Sequence, residues 1–207
     1  MSSTVTKVVT PELWPDLAAL FGERGASSGC RCMWFRVPPR QWTANGNAGN
    51  RAAMQAIVAE GHRPGLLAYR EGRPVGWMSV APRLEFRRIE AAGECGRAEE
   101  AGDDGIWSIV CFYIEAGQRG TGVAAELLAA GIEHARRGGA RIVEAYPVER
   151  AGASNADAFT GPRSLFEKAG FRETGRFDRW AAVPHASGHD ARRLSRPPGR
   201  PVMRLRL

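Results

Sequence analysis

The chain has 207 residues, 43% of them apolar and 25% charged, with 29 basic against 22 acidic side chains and a formal net charge of +7. This mix excludes disorder throughout and a fibrous repeat, and a chain this long buries a core without disulfide or metal staples. No apolar run reaches the roughly 18–20 residues that span a bilayer, and residues 1–10 hold no apolar signal region, so a single cytoplasmic domain over residues 1–207 is expected.

In chain order, Val5 and Lys7 mark a short first strand. Thr10-Pro11-Glu12 is a helix start: a capping hydroxyl, proline at the first helical position and an acid at the positive end. Leu13, Leu17 and Leu20 continue at helical spacing. Gly22 to Gln41 reads as irregular and aromatic, with Cys30, Cys32, Trp34 and Phe35 ahead of Pro38-Pro39. Asn50 reads as the cap of a second helix through Met54, Ile57 and Val58, ended by Gly61. Residues 65–70 and 75–80, on either side of Glu71-Gly72, predict a β-hairpin. From Ile89 to Gly105 six acids face Arg97 alone, which predicts a mobile acidic loop. Ile106 to Ile114 is an apolar run with Trp, Phe and Tyr, suited to a central strand.

A turn with glycines follows, Gly117 to Gly122. Then comes a helix whose apolar face is Val123, Ala124, Leu127, Leu128, Ile132 and Ala135, stopped by Gly138-Gly139. Arg141 to Tyr146 predicts a strand, Arg163 to Ala169 a short helix, Phe171 the opening of a strand, and Val202 to Leu207 a strand that closes the sheet. Six Arg face Asp190 in the basic segment 187–207. There Arg204 and Arg206 alternate with Met203, Leu205 and Leu207, which reads as an edge strand and not as a nucleic-acid-binding arm. Four cysteines are too few for a secreted scaffold of this length, so free thiols are expected. Cys30, Cys32, His185 and His189 are zinc-type ligands, but the two pairs lie far apart in sequence and no metal is expected.

The strand, glycine turn and helix from Ile106 to Gly138 form the segment that carries chemistry. Backbone N–H groups of such a turn converge on one point, and the helix start adds unpaired donors and a positive dipole end, which suits a phosphate or pyrophosphate. Gly120-x-Gly122-x-x-Ala125, with Glu144 about 20 residues on, fits a dinucleotide fingerprint. However, the chain offers one clear βαβ unit, and too little follows Tyr146 for a second half at roughly 30 residues per unit. The other frame, Arg119-x-x-Gly122-x-Ala124, resembles the (Q/R)-x-x-G-x-(G/A) signature of the GNAT superfamily of acetyl-CoA-dependent N-acetyltransferases. Ile106 to Ile114 is similar to that family's fourth strand, and Ser164 to Phe171 to its later helix-to-strand motif. Within it, Cys30 to Met33, Trp107 to Phe112 and Glu144 to Val148 resemble the CxCM, WSxxCF and EAYPV stretches of a bacterial subgroup.

The resemblance implies an α/β (α+β) fold, a mixed and mostly antiparallel sheet flanked by helices. It implies acetyl-CoA as cosubstrate, its pyrophosphate held by the amides of Arg119, Gly120, Thr121, Gly122, Val123 and Ala124 and its pantetheine arm running along Phe112, Tyr113 and Ile114. The reaction it implies is acetyl transfer to a primary amine of a small-molecule acceptor, by direct attack in a ternary complex. Trp34 and Phe35 would wall the acceptor pocket. Neither membrane nor nucleic acid is expected as a partner, and a homodimer is left open. The sequence departs from the family at the acid and base: Phe166 stands where many relatives place a tyrosine, and Ser108 and Val110 stand where they place a base. Tyr146, Ser108 and Glu144 are the candidate catalytic residues, with Asp104 and Cys111 as further substitutes. Alternation puts Glu144 and Tyr146 on one side of their strand. Tyr146 reads equally as a core tyrosine with a satisfied hydroxyl, Glu144 as the partner of an arginine, and Cys111 as a small buried hydrophobe. The missing acid and base also motivate an alternative, a catalytically degenerate acyl-CoA-binding sensor or partner module.

Overall fold

A computed structural model describes residues 3–25, 29–91, 102–149, 158–177 and 200–207. In chain order the elements are β1 (Val5–Val8), α1 (Trp14–Phe21), α2 (Pro39–Ala59), β2 (Gly65–Arg70), β3 (Arg73–Pro82), α3 (Arg87–Ala91), β4 (Ile106–Ile114), α4 (Val123–Arg137), β5 (Ile142–Ala145), α5 (Arg163–Lys168), β6 (Arg172–Phe177) and β7 (Arg200–Arg206). The hairpin β2–β3 turns on Glu71 and Gly72, both at positive φ (50° and 75°), the backbone pair whose twist matches that of the two strands it joins. β1 to β4 are antiparallel neighbours. β4 and β5 run parallel, with α4 as the crossover, as a parallel pair requires. The seven strands lie in the order β1-β2-β3-β4-β5-β7-β6. The mixed, mostly antiparallel sheet flanked by helices is the expected architecture.

Two apolar layers cover the sheet. On one face α4 sets Val123, Leu127, Leu128 and Ala135 against Met78, Val80, Ile109 and Phe112. On the other, Leu17 and Phe21 of α1 and Met54 and Val58 of α2 pack with Leu67, Trp77, Val110, Cys111 and Tyr146. β4 reaches both layers by side-chain alternation, with one irregularity in its pairing. Ser79 pairs with Cys111 but Val80 with Ile109, so Val110 is an extra residue, as in a β-bulge. Val110 and Cys111 therefore pack into the same layer.

Three local readings are corrected. The second helix does not begin at Asn50. It starts at Pro39, with proline in the first turn, where its missing N–H costs nothing, and it breaks at Gly46 (φ 57°) before continuing. Asn50 is 1% exposed and donates to the Gly29 carbonyl (3.3 Å) while accepting from Asn45 (3.2 Å); the side chain ties α2 to the preceding loop and caps no helix end. Thr10 makes no side-chain cap bond, and a 3-10 turn over Pro11–Leu13 precedes α1. Finally, β7 is not an edge strand but lies between β5 and β6. Residues 92–101, most of the predicted acidic loop, and 178–199, which include His185 and His189, lie outside the described residues; Arg87–Ala91 at the loop's start is helical.

Gly65 shows how tightly the hairpin closes. A Cβ there would sit 2.0 Å from the Met78 carbonyl oxygen and 2.7 Å from the Trp77 ring. Gly65→Ala must move backbone, and overpacking of this kind costs about 1–3 kcal/mol. A lowered urea midpoint is the expected result.

Candidate active site

The turn before α4 leaves a row of backbone donors open. Gln118 and Arg119 donate their amides back to Glu115 and Ala116, but the next five, Gly120 to Ala124, donate to no described group. Gly120 and Gly122 take positive φ (75° and 93°), which turns successive N–H groups to one side without a Cβ penalty. Arg70 of β2 fastens the turn from behind. Its guanidinium donates to Gln118 Oε1 (2.9 Å), Thr121 Oγ1 (2.8 Å) and the Thr121 carbonyl (2.9 Å). Open amides on a braced turn at the start of a 15-residue helix make a cradle for an anion. Arg119 is the exception among the predicted residues: its amide is engaged (3.4 Å) and its Nε caps the Ile114 carbonyl (3.2 Å).

The cradle adjoins the free end of β4. β4 and β5 pair from Ile106–Ile142 to Ile109–Ala145 and no further, so from Val110 onward β3 is β4's one described partner strand. Phe112, Tyr113 and Ile114 thus offer one backbone edge to an incoming chain. Their side chains are occupied: Phe112 packs edge-on to Phe166 (6.1 Å) and Tyr113 edge-on to Phe21 (5.7 Å).

The three candidate catalytic residues meet in one polar row. Ser108, Glu144 and Arg204 are direct neighbours across β4, β5 and β7. Tyr146, two residues beyond Glu144, donates its hydroxyl to Glu144 Oε2 (2.8 Å) and lies 2.9 Å from Ser108 Oγ. With the Tyr146 hydroxyl donating to the carboxylate, Ser108 is the donor to Tyr146. Arg83, in the 3-10 turn after β3, donates to both Glu144 oxygens (3.3 and 3.5 Å), and Arg204 donates to Oε1 (Nε 2.8 Å, Nη2 2.6 Å). Ser108, Glu144 and Tyr146 are all 0% exposed. The alternation of Glu144 with Tyr146 was legible in the sequence. Arg83 was missed because it follows a proline at a strand end, where no periodicity marks it. Asp104 is exposed and Asp103 takes the ion pair with Arg141. Phe166 is fully buried between Phe112 and Phe171.

Beside this row lie three free thiols, Cys30, Cys32 and Cys111. Trp77 Nε1 donates to Cys32 Sγ (3.0 Å), which lies 3.4 Å from Cys111 Sγ. The Cys32 contact, followed by burial, holds the Cys111 thiol well above its ordinary range. Burial, followed by Cys32, pushes Cys30 up to about 12. Both stay protonated near neutral pH and are poor nucleophiles in this state. Trp34 stands edge-on to Trp42 (4.9 Å), and Phe35 is tilted against Phe159 (6.2 Å), so the two predicted wall residues join α2 and the segment after β5.

Residues 31–171 match the acetyltransferase (GNAT) family, and the chain belongs to that family. Its fold is similar to that of an N-acetyltransferase from Staphylococcus aureus Mu50, with a TM-score of 0.55, 14% identity and 99% of each chain covered. A ribosomal-protein-alanine N-acetyltransferase from Brucella melitensis gives 0.53 at 23% identity, over 98% of this chain and 99% of that one. Diaminobutyrate acetyltransferase from Paenibacillus lautus, solved with L-2,4-diaminobutyric acid and coenzyme A, gives 0.54 at 13% identity, over 100% and 96%. At such identities the likeness is one of fold. No curated protein matches the chain significantly.

Proposed function

We propose that the protein transfers an acetyl group from acetyl-CoA to a primary amine of a small-molecule acceptor, by direct attack in a ternary complex, as one domain over residues 1–207 working in the cytoplasm. The observation that carries this reading is the cradle of open amides, Gly120 to Ala124, set beside the unpaired end of β4. Those amides hold the cosubstrate's diphosphate, Arg119 braces the strand end, and the backbone of Phe112 to Ile114 pairs with the pantetheine arm. Acetyl-CoA supplies an activated acyl group. Among the described residues no helix is long and apolar enough to cross a membrane.

The chain's own part is proton management. An ammonium has no lone pair, so the acceptor must lose a proton before or during attack. Ser108 faces Tyr146 and Tyr146 faces Glu144, which makes a relay from the β4 face to a carboxylate. Arg83 and Arg204 position that carboxylate and balance its charge. The proton the amine gives up balances the one the departing CoA thiolate takes to leave as free thiol; Phe166, without a hydroxyl, does not carry it.

A second reading, an acyl-CoA-binding module without turnover, is favoured by the full burial of Ser108, Glu144 and Tyr146. Release of free CoA thiol from acetyl-CoA against a panel of primary amines separates the two. Turnover, with Ser108→Ala and Tyr146→Phe each lowering kcat by about 100-fold, supports the enzyme. Stabilisation by CoA with no thiol released from any amine supports the module.

A further inference from the structure

Buried donors without acceptors gather in one part of the molecule. Among the described residues, six buried side-chain nitrogens have no hydrogen-bond partner, and five of them belong to Arg36, Trp42 and Arg88. A native structure satisfies nearly all such groups, and an exception calls for a missing water or ion. Arg36 already has an acid, since its Nη1 is ion-paired with Glu85. Arg88 has none among the described residues. Its Nε donates to the Val37 carbonyl (2.8 Å), and its guanidinium lies 3.9 Å over the Trp34 ring. Nη1 and Nη2 remain, both buried and both unpaired. Burial lowers the Arg88 pKa to about 10, opposed by the Cys30 thiol, so the group is still a cation at neutral pH.

Stacking fixes the plane of this guanidinium, and the Val37 carbonyl fixes its rotation. What is left over is one fork of two parallel N–H donors, the edge that takes a carboxylate bidentately. One unbalanced positive charge matches one carboxylate better than a phosphate dianion. The fork also lies on the face of the sheet covered by α1 and α2, where the proposed function places the acceptor. The Arg88 amide donates to the Phe35 carbonyl (3.1 Å), and Phe35 packs in the layer that holds Val110, Cys111 and Tyr146. Trp34, Phe35 and Phe159 supply apolar surface around it.

We propose that Arg88, seated on Trp34, is a carboxylate subsite of the acceptor pocket, and that the acceptor is an amino acid with an apolar body. This rests on the acetyl-transfer reading for the fate of the amine, but not for the binding of the carboxylate. The test uses L-phenylalanine, L-leucine and L-methionine, each beside its carboxamide, with two readouts: free thiol released from acetyl-CoA, and thermal unfolding with CoA present.

For at least one pair, wild type is expected to prefer the acid by about 10- to 100-fold in kcat/KM, the worth of a hydrogen-bonded charge, and to be stabilised by the acid and not by the amide. Arg88→Met is expected to bring the ratio near one, and Arg88→Lys, which keeps the charge but loses the fork, to retain part of it. If Arg88→Met does not fold, the wild-type comparison and Arg88→Lys decide. Equal handling of acid and amide by wild type, or no stabilisation by any acid, overturns the subsite. So does equal destabilisation by Arg88→Met and by the combined Glu94→Gln, Glu99→Gln, Glu100→Gln variant, since the carboxylate would then be the chain's own. Turnover of amides without acid preference leaves acetyl transfer standing and removes the subsite. Acid-specific stabilisation without thiol release keeps the subsite and removes the transfer.

Discussion

Glu144→Ala is expected to lower the free energy of unfolding by about 3–5 kcal/mol, the cost of breaking a buried ion pair from one side. The carboxylate is 0% exposed and Arg83 2% exposed, so solvent cannot take over the abandoned charge. Arg204 is more open, at 13% for its side chain, but makes the shorter contacts, so both arginines share the loss. Tyr146 loses the acceptor of its hydroxyl proton as well. Glu144→Gln keeps one carbonyl for Tyr146 or an arginine and is expected to fall between wild type and alanine. Glu144→Leu combined with Arg83→Met removes both fully buried charges and is expected to recover part of the loss, because apolar replacements of a buried pair are often neutral. Urea unfolding of these variants measures the order. A loss under about 1 kcal/mol for Glu144→Ala, the value of an exposed pair, would show that the row does not hold the sheet together.

Gly122→Glu is expected to abolish stabilisation by coenzyme A. Acetyl-CoA or CoA at about 100 times its Kd should raise the unfolding free energy of wild type by roughly 2.7 kcal/mol, and NAD should leave it unchanged. Space is not the obstacle at Gly122, where a Cβ would have Glu126 Oε1 as its nearest neighbour, at 3.8 Å. The backbone is the obstacle, because a φ of 93° costs an L-residue about 1–2 kcal/mol. The new carboxylate also joins Glu126 where an anion should sit. Gly122→Ala separates the two effects: it carries the strain without the charge and should keep part of the ligand-induced shift. Thermal unfolding with each ligand reads all of these, and a shift that survives in Gly122→Glu places the cosubstrate elsewhere.

Local signals carried the sheet's first half and the anion cradle. Glu71-Gly72 sits where two β-patterned runs meet, and both residues take the left-handed backbone that such a turn needs. Glycines and the apolar stripe of α4 marked the turn and its helix. The start of α2 was hidden because Pro38-Pro39 reads as loop and the polar run through Asn50 has no helical stripe. The bulge at Val110 has no composition of its own; it shows only when β3 fixes the register. The alternation of Arg204 and Arg206 with apolar neighbours was legible, but not that β5 would lie on one side of them and β6 on the other. Strand order is a non-local property, and so was the meeting of Arg83 and Arg204 on Glu144.

The placement of β7 between β5 and β6 sets an order of assembly. β6 has β7 as its one described neighbour in the sheet, so residues 172–177 join it only through residues 200–206, later in the chain, either after them or together with them as one antiparallel pair. β7 in turn must find β5 across a separation as long as that from Glu144 to Arg204, a closure that is slow to form because its entropy is spent before any contact repays it. Until then the Glu144 carboxylate waits with half of its counter-charge missing. Docking of β7 is therefore also the step that brings Arg204 onto the buried Glu144 carboxylate.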